Sequence, residues 1–421
     1  MRHKLLGLIA ALVLWMGAND AAAFCRDGTI SYKREWVIGQ SNTRFTNGAT
    51  APLRNVNIVF RNSVTGAQYS AFANASGVYQ VCGMPQGGYG VRLKFLDGNG
   101  QFKLVAALGG NALDNESTSS LSISNNAPYS FTVGVTNGWN DSSMRARTQT
   151  YAAMREFYSL MDTELAGLPE YFDMGLIQVV ASSSAHSGPH DIHLDVATLP
   201  TQVGVVWHEM GHTLQQNLQE QVWGTFWLNG PSAPPERHIY TTFSVSGACA
   251  GPPGYSAQTP SSNALTEGWA DFVENRVWFT TANLKGSLTC NTSQCPSLTT
   301  GSVLTEVPTN QTAHPACGTG SFFRSRDKVR NALIDLIDTN QADSSCFSES
   351  AALPFEAVTE HMMLSLNSMG ETVGTATRLE DTLSLVDFLA FLQDSFPTLG
   401  AYRIWANSCF QPGKSDRTLN Q

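Results

Sequence analysis

The sequence predicts a multidomain protein: an all-β sandwich over residues 24–136, then over 137–421 an α+β region with a mostly helical C-terminal lobe. Three observations carry this. Up to about residue 136, short alternating apolar runs are separated by turn signals every ten or so residues, the rhythm of an antiparallel sandwich. Beyond it, apolar residues recur at spacings of three and four, as on one face of a helix. Two strand-like runs, 176–181 and 192–196, break that helical rhythm and make the second part mixed.

Residues 1–23 read as a secretory signal. Arg2 and Lys4 form a basic start, 5–16 an apolar segment, and Ala21, Ala22 and Ala23 a small-residue cleavage site. The apolar segment is short for a bilayer span, and no later stretch is long enough. The mature chain, starting at Phe24, is expected to be secreted or periplasmic. Phe24 before Cys25 argues against a lipid anchor. The whole chain carries a formal charge of −9. Cleavage removes Arg2, Lys4 and Asp20 and leaves one more negative charge. An acidic chain without a basic run is a poor nucleic-acid binder. Charged residues are only 14% against 42% hydrophobic, so the surface must be built mainly from neutral polar side chains of a globular protein. A monomer is expected.

In the N-terminal part, Val56, Ile58 and Phe60 alternate with Asn57 and Val59 and predict a strand. Asn74-Ala75-Ser76-Gly77 is a turn leading into Val78 and Tyr79. Gly87-Gly88 leads into Val91, Leu93 and Phe95, and Asp97-Gly98-Asn99-Gly100 closes that strand. Cys25 and Cys82 are the only cysteines before residue 137, and a domain generally pairs its own. A Cys25–Cys82 disulfide is therefore expected in an exported chain. The other six cysteines (Cys249, Cys290, Cys295, Cys317, Cys346 and Cys409) allow fifteen connectivities.

Pro52-Leu53 with Val56 and Val59, then Thr65-Gly66, Gly77-Val78-Tyr79, and Pro85 before Gly88-Tyr89-Gly90-Val91 resemble the carboxypeptidase-regulatory-like domain over about residues 45–110. The resemblance implies a prealbumin-like sandwich that serves as an accessory or adhesive module, binding a substrate or a surface. Residues 137–142 are expected to be a linker or domain junction.

Tyr151, Met154, Tyr158, Met161 and Leu165 predict an amphipathic helix. His186, His190 and His193 cluster after it, either as a second metal site or as ordinary polar residues. The chain then reaches His208-Glu209-Met210-Gly211-His212. On a helix, residues four apart share a face, so His208 and His212 can offer two imidazoles to one metal ion. Glu209, beside the metal and not on it, can take a proton from an activated water. Gly211 is unfavourable in a helix, which suggests that another backbone approaches closely there.

Residues 218–263 carry six prolines and read as an irregular insertion. Glu267 and Asp271 follow at helical spacing. One carboxylate there can be a third metal ligand, and the other can accept the free N–H of a ligand imidazole. Glu274, about two turns and ~10 Å along the axis from Glu267, is expected to lie away from the site.

His-Glu-x-x-His followed by Glu-x-x-x-Asp resembles the gluzincins, the thermolysin-like clan of zinc metallopeptidases. The resemblance covers these two helices only, with a longer gap than thermolysin has. It implies a two-lobed zincin-like fold with Zn2+ held by His208, His212 and Glu267, Glu209 as general base, and Asp271 behind a ligand. By sequence order it points to His314 as the residue that hydrogen-bonds the oxyanion, with His238 and Tyr240 also open. Protein or peptide substrates follow from it. The rival reading is a surface-adhesive or binding protein whose zinc lobe is structural or inactive. Because the named chemistry lies beyond residue 136, 137–421 alone are expected to retain activity. The helical lobe, about 264–421, rests on apolar faces such as Val329, Leu333 and Leu336, then Val358 and Met362, then Leu385, Phe388 and Leu392.

Overall fold

The computed structural model describes residues 23–36, 50–165, 174–182, 185–188, 190–194, 203–223, 259–280, 333 and 355–360. Its chain contacts divide it into two units. The first takes 1–33, 50–99 and 112–148. The second takes 34–49, 100–111 and 149–421.

The first unit is β-rich. Strand β1 (Ala23–Lys33) is the hub of one sheet. Its first half pairs antiparallel with β5 (Val78–Pro85), and its second half lies between β2 (Thr50–Pro52) and β10 (Phe131–Val133). In the other sheet, β3 (Val56–Asn62) lies between β4 (Gln68–Phe72) and β6 (Gly87–Asp97), and β6 also pairs with the short β8 (Asp114–Glu116) and β9 (Leu121–Ile123). Phe60 of β3 meets Tyr79 of β5 at 6.1 Å between ring centroids, so side chains from both sheets share a core. Gly77 is indispensable in its turn: φ is +72°, and a Cβ would fall 2.4 Å from the Ile30 carbonyl oxygen. Cys25 and Cys82 form the expected disulfide between β1 and β5.

Asn57 and Val59 are buried too, each 7% exposed against 0% for Val56, Ile58 and Phe60, so β3 alternates as expected but is covered on both faces. The stretch 137–142, expected as a linker or domain junction, is packed into the first unit. Trp139 is fully buried, stacks on Phe131 at 3.9 Å and donates its indole N–H to Tyr129. Asp141 then caps the following helix through the Ser143 and Met144 amides. That helix, α1 (Ser142–Glu164), contains the boundary between the units at Thr148/Gln149.

In the second unit, β11 (Ile177–Ala181) pairs in parallel with β7 (Phe102–Val105) on one side and with β13 (Asp191–Leu194) on the other. The outer strand β12 (His186–Ser187) runs antiparallel to β13. Phe102 packs on Tyr151 and Tyr158 of α1 at 5.0 and 5.6 Å. Two long helices follow, α2 (Val203–Trp223) and α3 (Thr259–Thr280), and they pack against each other. Trp36 also belongs to this unit. It is fully buried, edge-on to Trp207 of α2 at 5.6 Å. Phe355 contributes from a helical piece at 355–360, its ring 5.6 Å from Phe272 of α3. Most of 218–263 and of the expected helical lobe, and the cysteines after Cys82, lie outside the described residues. No described helix is long and apolar enough to cross a membrane.

Candidate metal centre

The site begins with the apolar side of α2. Val203, Val206, Trp207, Met210 and Leu214 are fully buried, which fixes the rotation of the helix. Trp207 adds a hydrogen bond from its indole to the Ala153 carbonyl of α1, 2.8 Å long. With that face anchored, His208 and His212 are set on the side facing α3.

The two helices meet at Gly211. A Cβ there would lie 2.8 Å from the Cα of Ala270, 3.1 Å from its carbonyl oxygen and 3.2 Å from the Cβ of Val273. This is the close backbone approach that the glycine suggests. Trp269 closes the contact by donating its indole N–H to the Gly211 carbonyl at 3.2 Å. Gly211→Ala is therefore expected to destabilise the protein and weaken metal retention, although alanine is better in a helix by about 1 kcal/mol. The helices must part, and overpacking of this kind costs about 1–3 kcal/mol. Thermal unfolding with and without added zinc reads both effects.

Across that contact three donor groups converge. The Nε2 atoms of His208 and His212 are 3.1 Å apart. Glu267 places one carboxylate oxygen 3.4 Å from His208 Nε2 and the other 3.6 Å from His212 Nε2. Ligand atoms around a tetrahedral zinc with bonds of ~2.0–2.1 Å are separated by ~3.3–3.4 Å. Two imidazoles and a carboxylate at these spacings fit the ion in donor type and in size. All three side chains are less than one-fifth exposed.

On the other edge of His208, Nδ1–H donates to Asp271 Oδ1 at 2.9 Å. This bond aims Nε2 at the donor group. Glu274 is not in the group with His212 and Glu267, but its carboxylate lies within 4.8 Å of His208 and Asp271 donor atoms. The physical reason is side-chain direction. Helical side chains lean toward the helix N-terminus, so Glu274 reaches back over the turn of Asp271.

Burial by itself lowers the pKa of His208, but hydrogen bonds and charges from Asp271 and Glu267 outweigh it and raise the value to about 10. Without metal, His208 is therefore an imidazolium at neutral pH. Its folded pKa lies above the unfolded value of about 6.5. The stability it adds to the metal-free protein is fully present below pH 6.5 and is lost as pH rises through 10. A metal on Nε2 must displace a proton. Zinc uptake at pH 7 is expected to release about one proton from His208 and to weaken as pH falls. Calorimetry in buffers of different ionisation enthalpy measures this.

Glu209 follows His208 on α2. It is buried, with 7% exposure, and outside the donor triangle. His314, His238 and Tyr240 lie outside the described residues. The three upstream histidines do not gather around one point. His186 and His193 stack at 4.1 Å across β12 and β13, His193 pairs with Asp191 at 2.9 Å, and His190 contacts the Met174 carbonyl. Among the described residues, the groups spaced to hold a metal all include His208. Trp36 was not singled out by sequence reasoning. Its only signal is a tryptophan in a polar stretch, with nothing to link it to Trp207.

Compared with known proteins, the chain matches no family model and no curated protein.

Proposed function

We propose that this protein is an exported, zinc-dependent metallopeptidase of gluzincin type, with a prealbumin-like accessory sandwich ahead of a two-lobed zincin-like domain. The observation that carries the reading is the triangle of His208, His212 and Glu267, with donor atoms 3.1, 3.4 and 3.6 Å apart. Three protein ligands leave the fourth tetrahedral position for water, as in catalytic zinc sites. Zinc bound there would supply Lewis acidity toward a carbonyl and toward water. Asp271 holds His208 in the tautomer that presents Nε2. Glu209 removes a proton from the attacking water and passes it to the amine as the C–N bond breaks. His314 is assigned the hydrogen bond to the developing oxyanion. The substrate is a protein or peptide, met by a monomer. The Cys25–Cys82 bridge supports an oxidising compartment.

The test has two parts. The full chain is dialysed against a weak chelator and its zinc counted, beside Glu267→Ala. Zinc-loaded protein is then offered an unfolded protein, a folded protein and short peptides. One zinc per chain, lost in Glu267→Ala, with zinc-dependent cleavage is the expected result. Zinc retained by Glu267→Ala overturns the ligand set. Bound zinc without cleavage of any substrate favours a binding protein with an inactive lobe.

A further inference from the structure

α3 carries three acids on the side facing α2: Glu267, Asp271 four residues on, and Glu274 three beyond that. They serve opposite edges of one imidazole. Glu267 and His212 lie at His208 Nε2, whereas Asp271 lies at Nδ1 and Glu274 is grouped with it, the His208, Asp271 and Glu274 donor atoms being within 4.8 Å of one another. The second group has the donor types of a metal site, but it shares its histidine with the first. A neutral imidazole has one nitrogen lone pair free for a metal, and the other nitrogen carries hydrogen. With Nε2 committed to the triangle, Nδ1 keeps its hydrogen and gives it to Asp271 at 2.9 Å. The acids on that edge therefore hold a ligand and do not bind a second ion.

We propose that Glu274 is a positioning residue for His208 that acts through Asp271; this rests on the metal-site reading above. Asp271 is nearly buried, its side chain 6% exposed, so its surroundings govern how strongly it accepts the Nδ1 hydrogen. Glu274 is half-buried beside it. A second carboxylate adds negative potential on the Nδ1 edge. It strengthens the Asp271 bond to His208, makes Nε2 a better electron donor and deepens the attraction for a dication. Partners in this outer position normally change metal affinity by about 10–100-fold. Glu274, one step further out, is expected to change it less.

The experiment is a double-mutant cycle on the full chain, with zinc alone as the probe, titrated at pH 7.5 in competition with a chromophoric chelator. Asp271→Asn is expected to weaken zinc binding by about 10–100-fold. Glu274→Gln, nearly isosteric, is expected to weaken it by about 3–10-fold in the wild-type background and not at all beside Asp271→Asn, since contacting groups are non-additive. Glu274→Asp keeps the charge and is expected to recover part of the loss, which a purely steric role would not allow. If Glu274→Gln does not fold, Glu274→Asp is carried through the same cycle, with a loss that disappears beside Asp271→Asn. Wild-type affinity in Glu274→Gln, or fold-losses that multiply with those of Asp271→Asn, overturns the role. So does a second zinc per chain that Glu274→Gln removes. Failure of the metal-site reading looks different: wild type binds no zinc, or Glu267→Ala binds it as well as wild type.

Discussion

Glu209→Gln is expected to keep its zinc and fold and to lose nearly all turnover. Glu209 lies outside the triangle of His208, His212 and Glu267, so its replacement removes no donor atom. Glutamine matches glutamate in size, so a position with 7% exposure can accept it. What the amide cannot do is take and return a proton. General acid–base catalysis contributes about 100–10,000-fold, and the loss should fall on kcat with KM little changed. Zinc content and steady-state kinetics on the same preparation decide the matter. Near-normal turnover in a zinc-replete Glu209→Gln protein would take Glu209 out of the mechanism.

The second large effect concerns a fragment. By its motifs alone, 137–421 holds all the named chemistry, but the unit that carries His208 also contains 34–49 and 100–111. A chain starting at residue 137 lacks β7, the parallel neighbour of β11, and lacks Phe102, which covers Tyr151 and Tyr158. It also lacks Trp36 against Trp207, the residue before His208. Trp36, Phe102, Leu104 and Val105 are each at most 1% exposed. At about 1.5–3 kcal/mol for each buried side chain, their loss is comparable to the whole stability of a domain, about 5–15 kcal/mol. The fragment is expected to be unfolded or aggregated and to bind no stoichiometric zinc. Circular dichroism with zinc analysis of the purified fragment checks this. A folded, zinc-loaded fragment that cleaves peptides would show that the segments before 137 are dispensable.

These two expectations show where the sequence is readable. Helical spacing puts His208 with His212 on one face and Glu267 with Asp271 on another; that the two pairs meet is what the gluzincin resemblance implies. Gly211 is readable too, since a helix tolerates a glycine most readily where something must come near. That Glu274 lies near Asp271 and His208 is not legible in the spacing, because a rise per residue locates a Cα and not the end of a leaning side chain. The strand over Val56, Ile58 and Phe60 is readable, but the burial of Asn57 and Val59 is not, because alternation does not say what covers the second face. Trp36 and β7 left no trace. Trp207 and β11 lie far along the chain from them, and a short apolar run does not name a strand it pairs with.

The interleaving of the two units has a consequence for how the chain is made. Synthesis runs from the N-terminus, so Trp36 and the strand around Leu104 emerge long before α2 and α3 exist. The first unit can close as soon as residue 148 is available. The second must wait for residues up to at least α3, holding Phe102 and Leu104 without their neighbours meanwhile. Contacts this far apart in sequence slow folding through the entropy of closing long loops. Apolar side chains left uncovered during that wait invite association between chains. The unit that carries His208 and Glu267 is thus expected to be the slower and more vulnerable one during biogenesis, whatever its final stability.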